Sequence, residues 1–120
     1  MTEKKMTGFG KKVRLLAQEK DVYNWAQLER VLQDSGYDYY SRQILRNYAY
    51  GDTVAPADFV RAFSEVFDLD EEEKKEIAYL WAFEQECEDK PLYRTPVYDV
   101  AQRVGWEDEQ KQEIAYRYIF

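Results

Sequence analysis

The eight residues SRQILRNY, numbered 41–48, contain polar side chains whose types and spacing suit hydrogen bonding to the bases of a nucleic acid. A helix over this stretch would put its apolar residues on one side and four polar residues on the other: Arg42, Gln43, Arg46 and Asn47. Arginine can bond both acceptors on a guanine edge, and glutamine or asparagine can bond an adenine edge in the same bidentate way. An ordinary solvated helix face usually contains glutamate and lysine, and this face contains neither. The pattern therefore predicts a helix that contacts DNA bases and the phosphates beside them.

Residues outside this polar face are candidates for contact with phosphates. Ser41 is a good N-cap, so its hydroxyl and the first backbone N–H groups of the helix could meet a phosphate at the partly positive helix end. Tyr40, in the turn before it, is a further candidate, although either Tyr39 or Tyr40 could instead pack under the preceding helix. A basic arm could track the DNA backbone through five residues: Lys4, Lys5, Lys11, Lys12 and Arg14. A frayed, solvated terminus would explain these basic residues equally well.

The charge of the chain is divided unevenly, although its formal net charge is −7. Residues 1–50 hold nine Lys/Arg and six Asp/Glu, whereas residues 51–120 hold eight Lys/Arg and eighteen Asp/Glu. Only the first half could attract a polyanion. The chain has a single cysteine, which excludes an internal disulfide. It has no histidine, so the commonest metal ligand and general base is missing. We therefore predict neither an enzyme nor a bound cofactor.

The elements that must position the polar face are predicted to be helices, because apolar residues recur at helical spacing and no run alternates with period two. The length of 120 residues suits one domain. The helix before SRQILRNY is predicted to begin at Asn24, with Gln27 in the capping-box position, and to end at Gly36. Other residues mark the starts of five further helices: Lys11 for the first, Pro56 for the fourth, Asp70 for the fifth, Thr95 for the sixth and Glu107 for the seventh.

Two stretches of the acidic half resemble each other at a constant offset of 37 residues: KKEIAYLWAF (74–83) and KQEIAYRYIF (111–120). The helices before them align at the same offset, with Val60 on Val97 and Phe63 on Val100. One interpretation is that the fourth and fifth helices are repeated as the sixth and seventh. The other is that two capped amphipathic helices have similar residues by chance. In both cases the C-terminal helix has too much aromatic surface to stand alone.

From about Lys11 to Phe83 the sequence resembles the lambda-repressor-like, Cro-type helix-turn-helix domains of the XRE family. The similarity is carried by SRQILRNYAYG and by PADFVRAFSEVFDLDEEEKKEIAYLW. It implies a five-helix unit whose third helix enters the major groove, with Ser41 at a phosphate and with Leu45 and Tyr48 packed inward. The same resemblance implies that three side chains reach into the groove: Arg42, Gln43 and Asn47.

Two features depart from the family pattern. Trp25 opens the second helix, where the family often has a glutamine that contacts the DNA backbone. The turn from Gly36 to Ser41 is longer than the common family turn, and Asp34 and Asp38 lie near the expected path of the phosphates. Carboxylates facing the DNA would lower its affinity.

The complete prediction is an all-α protein: a five-helix lambda-repressor-like domain with a basic N-terminal arm over residues 1–88, and a C-terminal extension of about two helices over 89–120. It would be a sequence-specific DNA-binding transcriptional regulator, specifically a repressor, located in the cytoplasm and on the nucleoid. No apolar run approaches the roughly 18 residues that span a bilayer, so no membrane partner is predicted.

A homodimer is predicted as well, because a single recognition helix reads only a few base pairs of double-stranded DNA. The dimer surface would lie beyond the five-helix unit: Leu92, Val100, Trp106, Tyr116, Tyr118, Ile119 and Phe120. The alternative is a protein-interaction module on the same fold, such as an antitoxin or an antirepressor, whose regulatory partner is another protein.

Overall fold

The computed structural model describes residues 5–84 and 95–120, which form seven α-helices and, within these ranges, no strand. The helices are α1 (Gly8–Glu19), α2 (Trp25–Asp34), α3 (Arg42–Ala49), α4 (Ala57–Val66), α5 (Glu71–Phe83), α6 (Pro96–Val104) and α7 (Asp108–Ile119). The predicted all-α class is therefore confirmed for the described part of the chain. None of these helices has the length and apolar character needed to cross a membrane.

Side-chain caps hold the starts of most helices at the residues that the sequence indicated. Asn24 Oδ1 accepts a hydrogen bond from the N–H of Gln27 at 2.8 Å. Asp70 and Glu73 form a reciprocal capping box at the start of α5. At the other end of α2, Gly36 has a φ of 95°, a left-handed conformation that ends the helix without the strain a Cβ would add. Pro56 differs slightly from the prediction, because it precedes α4 as its N-cap and does not open the first turn.

The first helix begins earlier than predicted, at Gly8 and not near Lys11. The Thr7 hydroxyl accepts from the N–H of Gly10 at 3.0 Å, and the N–H of Thr7 donates to the carbonyl of Ala49 at 3.0 Å. At Gly10 a Cβ would lie only 2.1 Å from that carbonyl oxygen, so glycine allows α1 to approach the end of α3. Two glycines lower the intrinsic helix propensity of this turn, which is why contacts distant in sequence determine where α1 starts.

An aromatic cluster around Phe59 joins the first three helices to α4. The ring of Phe59 lies 6.4 Å from Phe9, 5.2 Å from Tyr40 and 5.2 Å from Tyr48, measured between ring centroids. It also lies 6.0 Å from Phe63, one turn further along α4. Edge-on and tilted pairs of this kind stabilise a core beyond the burial of their area. The cluster therefore links the basic and acidic halves of the chain.

The last two helices belong to the same core as the rest of the protein. Val97, Ala115 and Ile119 are buried in the cluster that contains Phe63 and Ile77. The most extensive helix–helix packing among the described residues is between α5 and α7. The predicted domain boundary near residue 88 lies outside the described residues, and the helices on its two sides share one continuous core.

Candidate nucleic-acid interface

Helix α3 has one side in the core and one side in solvent, as the spacing of its residues predicted. Leu45 and Tyr48 are buried, and burial raises the pKa of the Tyr48 hydroxyl to about 12. On the opposite side, three of the four predicted base-contacting residues are exposed and Asn47 is partly exposed. Helix α2 packs against α3 through its own buried residues, Leu28 and Leu32. The pair forms two packed helices with a polar outer surface on the second.

The long turn between α2 and α3 is attached to the rest of the fold by tyrosines. The hydroxyl of Tyr37 donates to Glu65 of α4 at 2.8 Å, and this hydrogen bond raises the pKa of the tyrosine. Tyr40 is only 7% exposed and packs against Tyr48 and Phe59, so the prediction that it contacts a phosphate is wrong. Its neighbour Tyr39 is 71% exposed and is the tyrosine of this turn that faces solvent.

A carboxylate on α2 holds the first residue of α3. Glu29 accepts from the backbone N–H of Arg42 at 2.7 Å and from the Arg42 guanidinium at 3.1 Å and 3.2 Å. The hydrogen bond from the backbone N–H, together with those from the guanidinium, lowers the pKa of the Glu29 carboxyl below its ordinary value. Arg42 is thus oriented across the start of α3 by a carboxylate that the sequence reasoning missed.

The start of α3 is consequently occupied by groups of the protein itself. Ser41 Oγ accepts from the N–H of Ile44 at 3.3 Å, which is the predicted capping role. The N–H of Arg42 is bonded to Glu29, so it does not offer the free anion-binding donor that was predicted at this helix end. The Ser41 hydroxyl can still donate its own proton to a phosphate.

The other polar residues of α3 interact along the helix surface. Gln43 Nε2 donates to Asn47 Oδ1 at 2.9 Å, one turn away. The Arg46 guanidinium lies over the ring of Tyr50, 5.5 Å from its centroid, in a cation–π contact. These contacts reduce the number of conformations available to each side chain. Less side-chain entropy would be lost when such a surface binds a ligand.

The residues of the predicted basic arm do not share one surface. Lys4 lies outside the described residues, and Lys5 is exposed. Lys11 and Arg14 are exposed on α1, and Arg14 borders a shallow pocket with Asn24 and Trp25 at the start of α2. Lys12 is mostly buried and its Nζ lies 2.5 Å from the carboxylate of Glu76 on α5. The prediction that Lys12 contacts DNA is therefore wrong, because helical spacing turns it toward the acidic half of the protein.

The residues predicted to form a dimer surface differ in their exposure to solvent. Val100, Tyr118 and Phe120 are exposed, and Trp106 and Tyr116 are partly exposed. Ile119 is 1% exposed because it faces the shared core, so its assignment to a dimer surface is wrong. Leu92 lies outside the described residues.

Sequence reasoning missed Glu29 and Glu65 because their bonding partners are distant in the chain, 13 and 28 residues away. Glu29 directly follows the buried Leu28 on α2, but this position alone does not place it beside the start of α3. That proximity depends on how α2 and α3 pack together, which no local pattern shows. Asp34 and Asp38, which the sequence placed near the phosphates, are both exposed.

No protein-family model matches this chain, and no curated protein or solved structure is significantly similar to it. The resemblance of residues 11–83 to the XRE family accordingly stays a prediction from the sequence. A function is therefore supported by the packing of α2 against α3 and by the exposed polar side of α3.

Proposed function

We propose that the protein is a DNA-binding regulator that places α3 in the major groove of double-stranded DNA. The observation that carries this proposal is the outer surface of α3, which presents two arginines and two amides while its apolar side is buried. These side chains match the hydrogen-bonding edges of guanine and adenine. An α-helix with its side chains is about 10–12 Å in diameter, which matches the roughly 12 Å width of the major groove.

The charges near α3 make base contacts more important than general attraction to DNA. Arg42 and Arg46 lie on α3, but Glu29, Asp34 and Asp38 are carboxylates on the adjoining helix and turn. Phosphate attraction dominates non-specific binding, so this balance favours weak binding to bulk DNA. Selectivity would then depend on the side chains that touch base edges.

The proposal includes two copies of the protein on DNA, because one α3 reads too few base pairs for useful selectivity. Exposed apolar residues of α6 provide a surface for such a dimer on DNA: Val100, which the sequence predicted, and Val104, which the sequence reasoning did not include. A dimer acting as a repressor in the cytoplasm is the form of this function that the sequence predicts.

Selection of bound sequences from a random DNA pool, followed by titration of the selected site, tests the proposal. Arg46→Ala should weaken binding to the selected site by about 1–3 kcal/mol, or roughly 5- to 150-fold in Kd, because one base contact is lost. Arg117→Ala is the matched control, since Arg117 is an exposed arginine on α7 and belongs to neither α3 nor the α6 surface. Equal affinity of wild type and Arg46→Ala for that site, or selection of no sequence at all, would exclude this use of α3.

A second candidate is a module that binds a basic protein, and the engaged state of Arg42 favours it. Glu29 pairs with this arginine, and Asp34 and Asp38 are further exposed carboxylates at the end of α2 and in the turn that follows. Retention on immobilised DNA that carries a selected site, stronger than on heparin and lost steeply as salt rises, supports DNA binding. No retention on heparin, together with a stable complex with a basic protein, supports the second candidate.

A further inference from the structure

The two halves of the acidic region have the same helical construction at the offset of 37 residues. Helix α5 begins with a capping box formed by Asp70 and Glu73, and α7 begins with one formed by Glu107 and Gln110. Each of these helices is preceded by a shorter one, α4 or α6. Hairpin α4–α5 and hairpin α6–α7 are therefore equivalent units, hereafter the first and second hairpins.

Several contacts between the two hairpins occur in reciprocal pairs. The ammonium of Lys74 lies 5.5 Å from the ring centroid of Phe120, and that of Lys111 lies 5.4 Å from the ring centroid of Phe83. Lys111 is the equivalent of Lys74, and Phe120 is the equivalent of Phe83. In each hairpin, the lysine at this position thus lies over an aromatic ring of the other hairpin.

Backbone acceptors follow the same reciprocity. The carbonyl of Ala82 in the first hairpin accepts from the hydroxyl of Thr95 in the second, at 2.9 Å. The carbonyl of Ile119, the equivalent of Ala82, accepts from the guanidinium of Arg61 in the first hairpin at 3.0 Å. The donors differ in type, but the same backbone position is bonded by the opposite hairpin in each case.

Equivalent residues also meet each other. Trp81 and its equivalent, Tyr118, stack with ring centroids 5.5 Å apart and an angle of 20° between their planes. Ala78 and Ala115, also equivalent, are completely buried on the faces that carry these contacts. In an interface with twofold symmetry, residue i meets j and j meets i, and equivalent residues meet at the axis. These contacts are the ones expected of two hairpins related by an approximate twofold axis between α5 and α7.

We infer that the face of α5 bearing Lys74, Ala78 and Trp81 is a pairing surface for a second copy of this chain, and that the chain's own α7 covers it. The reciprocal contacts carry this inference. The α5 face already fits the equivalent face of α7, so it has the complementarity needed to fit the same α5 face of a second copy. In such a pair Lys74 would lie over Phe83 of the second copy, and the two Trp81 rings would meet at the axis. The second hairpin is then an internal substitute for a second protein chain.

Substituting Ala115 in the full chain tests the inference. Ala115→Arg puts a long charged side chain into the buried face of α7, which displaces the second hairpin and also prevents it from docking onto another chain. The α5 face is left free, so the mass measured by light scattering should be twice that of wild type. The double variant Ala78→Arg/Ala115→Arg is the matched control, since it blocks the α5 face too, and its mass should return to the wild-type value.

A milder variant decides the question if Ala115→Arg does not fold, as judged by loss of its helical circular dichroism. Tyr118→Asp removes the stacking on Trp81 at a half-exposed position, so it should fold and show a doubled mass at high protein concentration. A folded variant that keeps the wild-type mass at all concentrations overturns the inference. A doubled mass in the double variant overturns it as well, because pairing would then not use α5.

Discussion

Helices α3 and α7 are both short helices whose sequences suggest a surface for binding a partner, but the fold uses them differently. Helix α3 buries Leu45 and Tyr48 and leaves its arginines and amides at the surface. Helix α7 buries Ala115 and Ile119 and directs its aromatic residues largely toward α5. The polar helix keeps its candidate interface, whereas the aromatic helix uses most of its own within the chain.

The difference shows that an exposed-looking aromatic pattern and a pattern of arginines and amides do not indicate a binding partner equally well. Apolar and aromatic side chains gain free energy from any surface that excludes water, including another part of the same chain. A cluster of arginines and amides gains little from an apolar core and stays in solvent unless it is paired. The side chains of α3 are therefore better evidence for an external ligand than those of α7.

The comparison of α3 with α7 assumes that both helices belong to one cooperatively folding unit. Substitution of Phe59, which lies in their shared core, tests this assumption. Phe59→Ala should lower the free energy of unfolding by about 3–5 kcal/mol, because a large buried ring leaves a cavity. Urea denaturation followed by circular dichroism should show one transition at a lower midpoint. Leu15→Ala, at an exposed position, is the control with an expected change within about 0.5 kcal/mol. Two separate transitions would mean that the regions unfold independently.

Lysine substitutions sharpen the comparison on the side of α7. Lys74→Gln and Lys111→Gln should each lower the free energy of unfolding by about 0.5–1 kcal/mol, since each removes one cation–π contact. Similar effects are expected because the two lysines occupy equivalent positions; Lys111 also lies 4.0 Å from Asp108, but an ion pair with an exposed carboxylate adds little. Lys20→Gln, at an exposed residue after α1, serves as the control in the same urea titration. Clearly unequal effects would contradict the reciprocity of the two hairpins.

The smallest expected effect concerns Glu29, next to α3. Its pKa in the folded protein is lowered by the bonds from Arg42, so these bonds stabilise the fold above the ordinary carboxyl pKa of 4.5. Their contribution is lost as pH falls through the lowered pKa. Wild type should therefore be slightly more stable than Glu29→Gln at neutral pH, and the difference should disappear in acid. Urea denaturation across this pH range measures it, with exposed Glu19→Gln as control. A difference that persists below the lowered pKa would contradict the assignment.

The sequence predicted the helices well because their ends are marked by local chemistry. Asn24, Ser41, Asp70 and Thr95 cap the helices they were expected to cap. The start of α1 was missed because the residues after its cap, Thr7, include two glycines of low helix propensity, and because Thr7 is also held by Ala49, which is distant in the chain.

The candidate site was predicted only in part, for a related reason. Helical spacing separates the inner and outer sides of α3, but it does not show which neighbouring side chain bonds to the outer one. Glu29 reaches Arg42 only because α2 and α3 pack together, and Lys12 reaches Glu76 only because α1 packs on α5. Tyr40 and Ile119 were placed at the surface because their burial among exposed neighbours depends on tertiary packing.

The glycine at position 10 has a consequence for recognising distant relatives of this protein. Because any side chain there would collide with the backbone at Ala49, a sequence with the same α1–α3 spacing is restricted to glycine at this point. A relative with another residue at this position must hold the two helices further apart. The hydrogen bond between Thr7 and Ala49 would then have to be replaced by other contacts. A glycine three residues after a capping threonine, at the start of the first helix, is thus a sequence pattern by which this arrangement can be searched for.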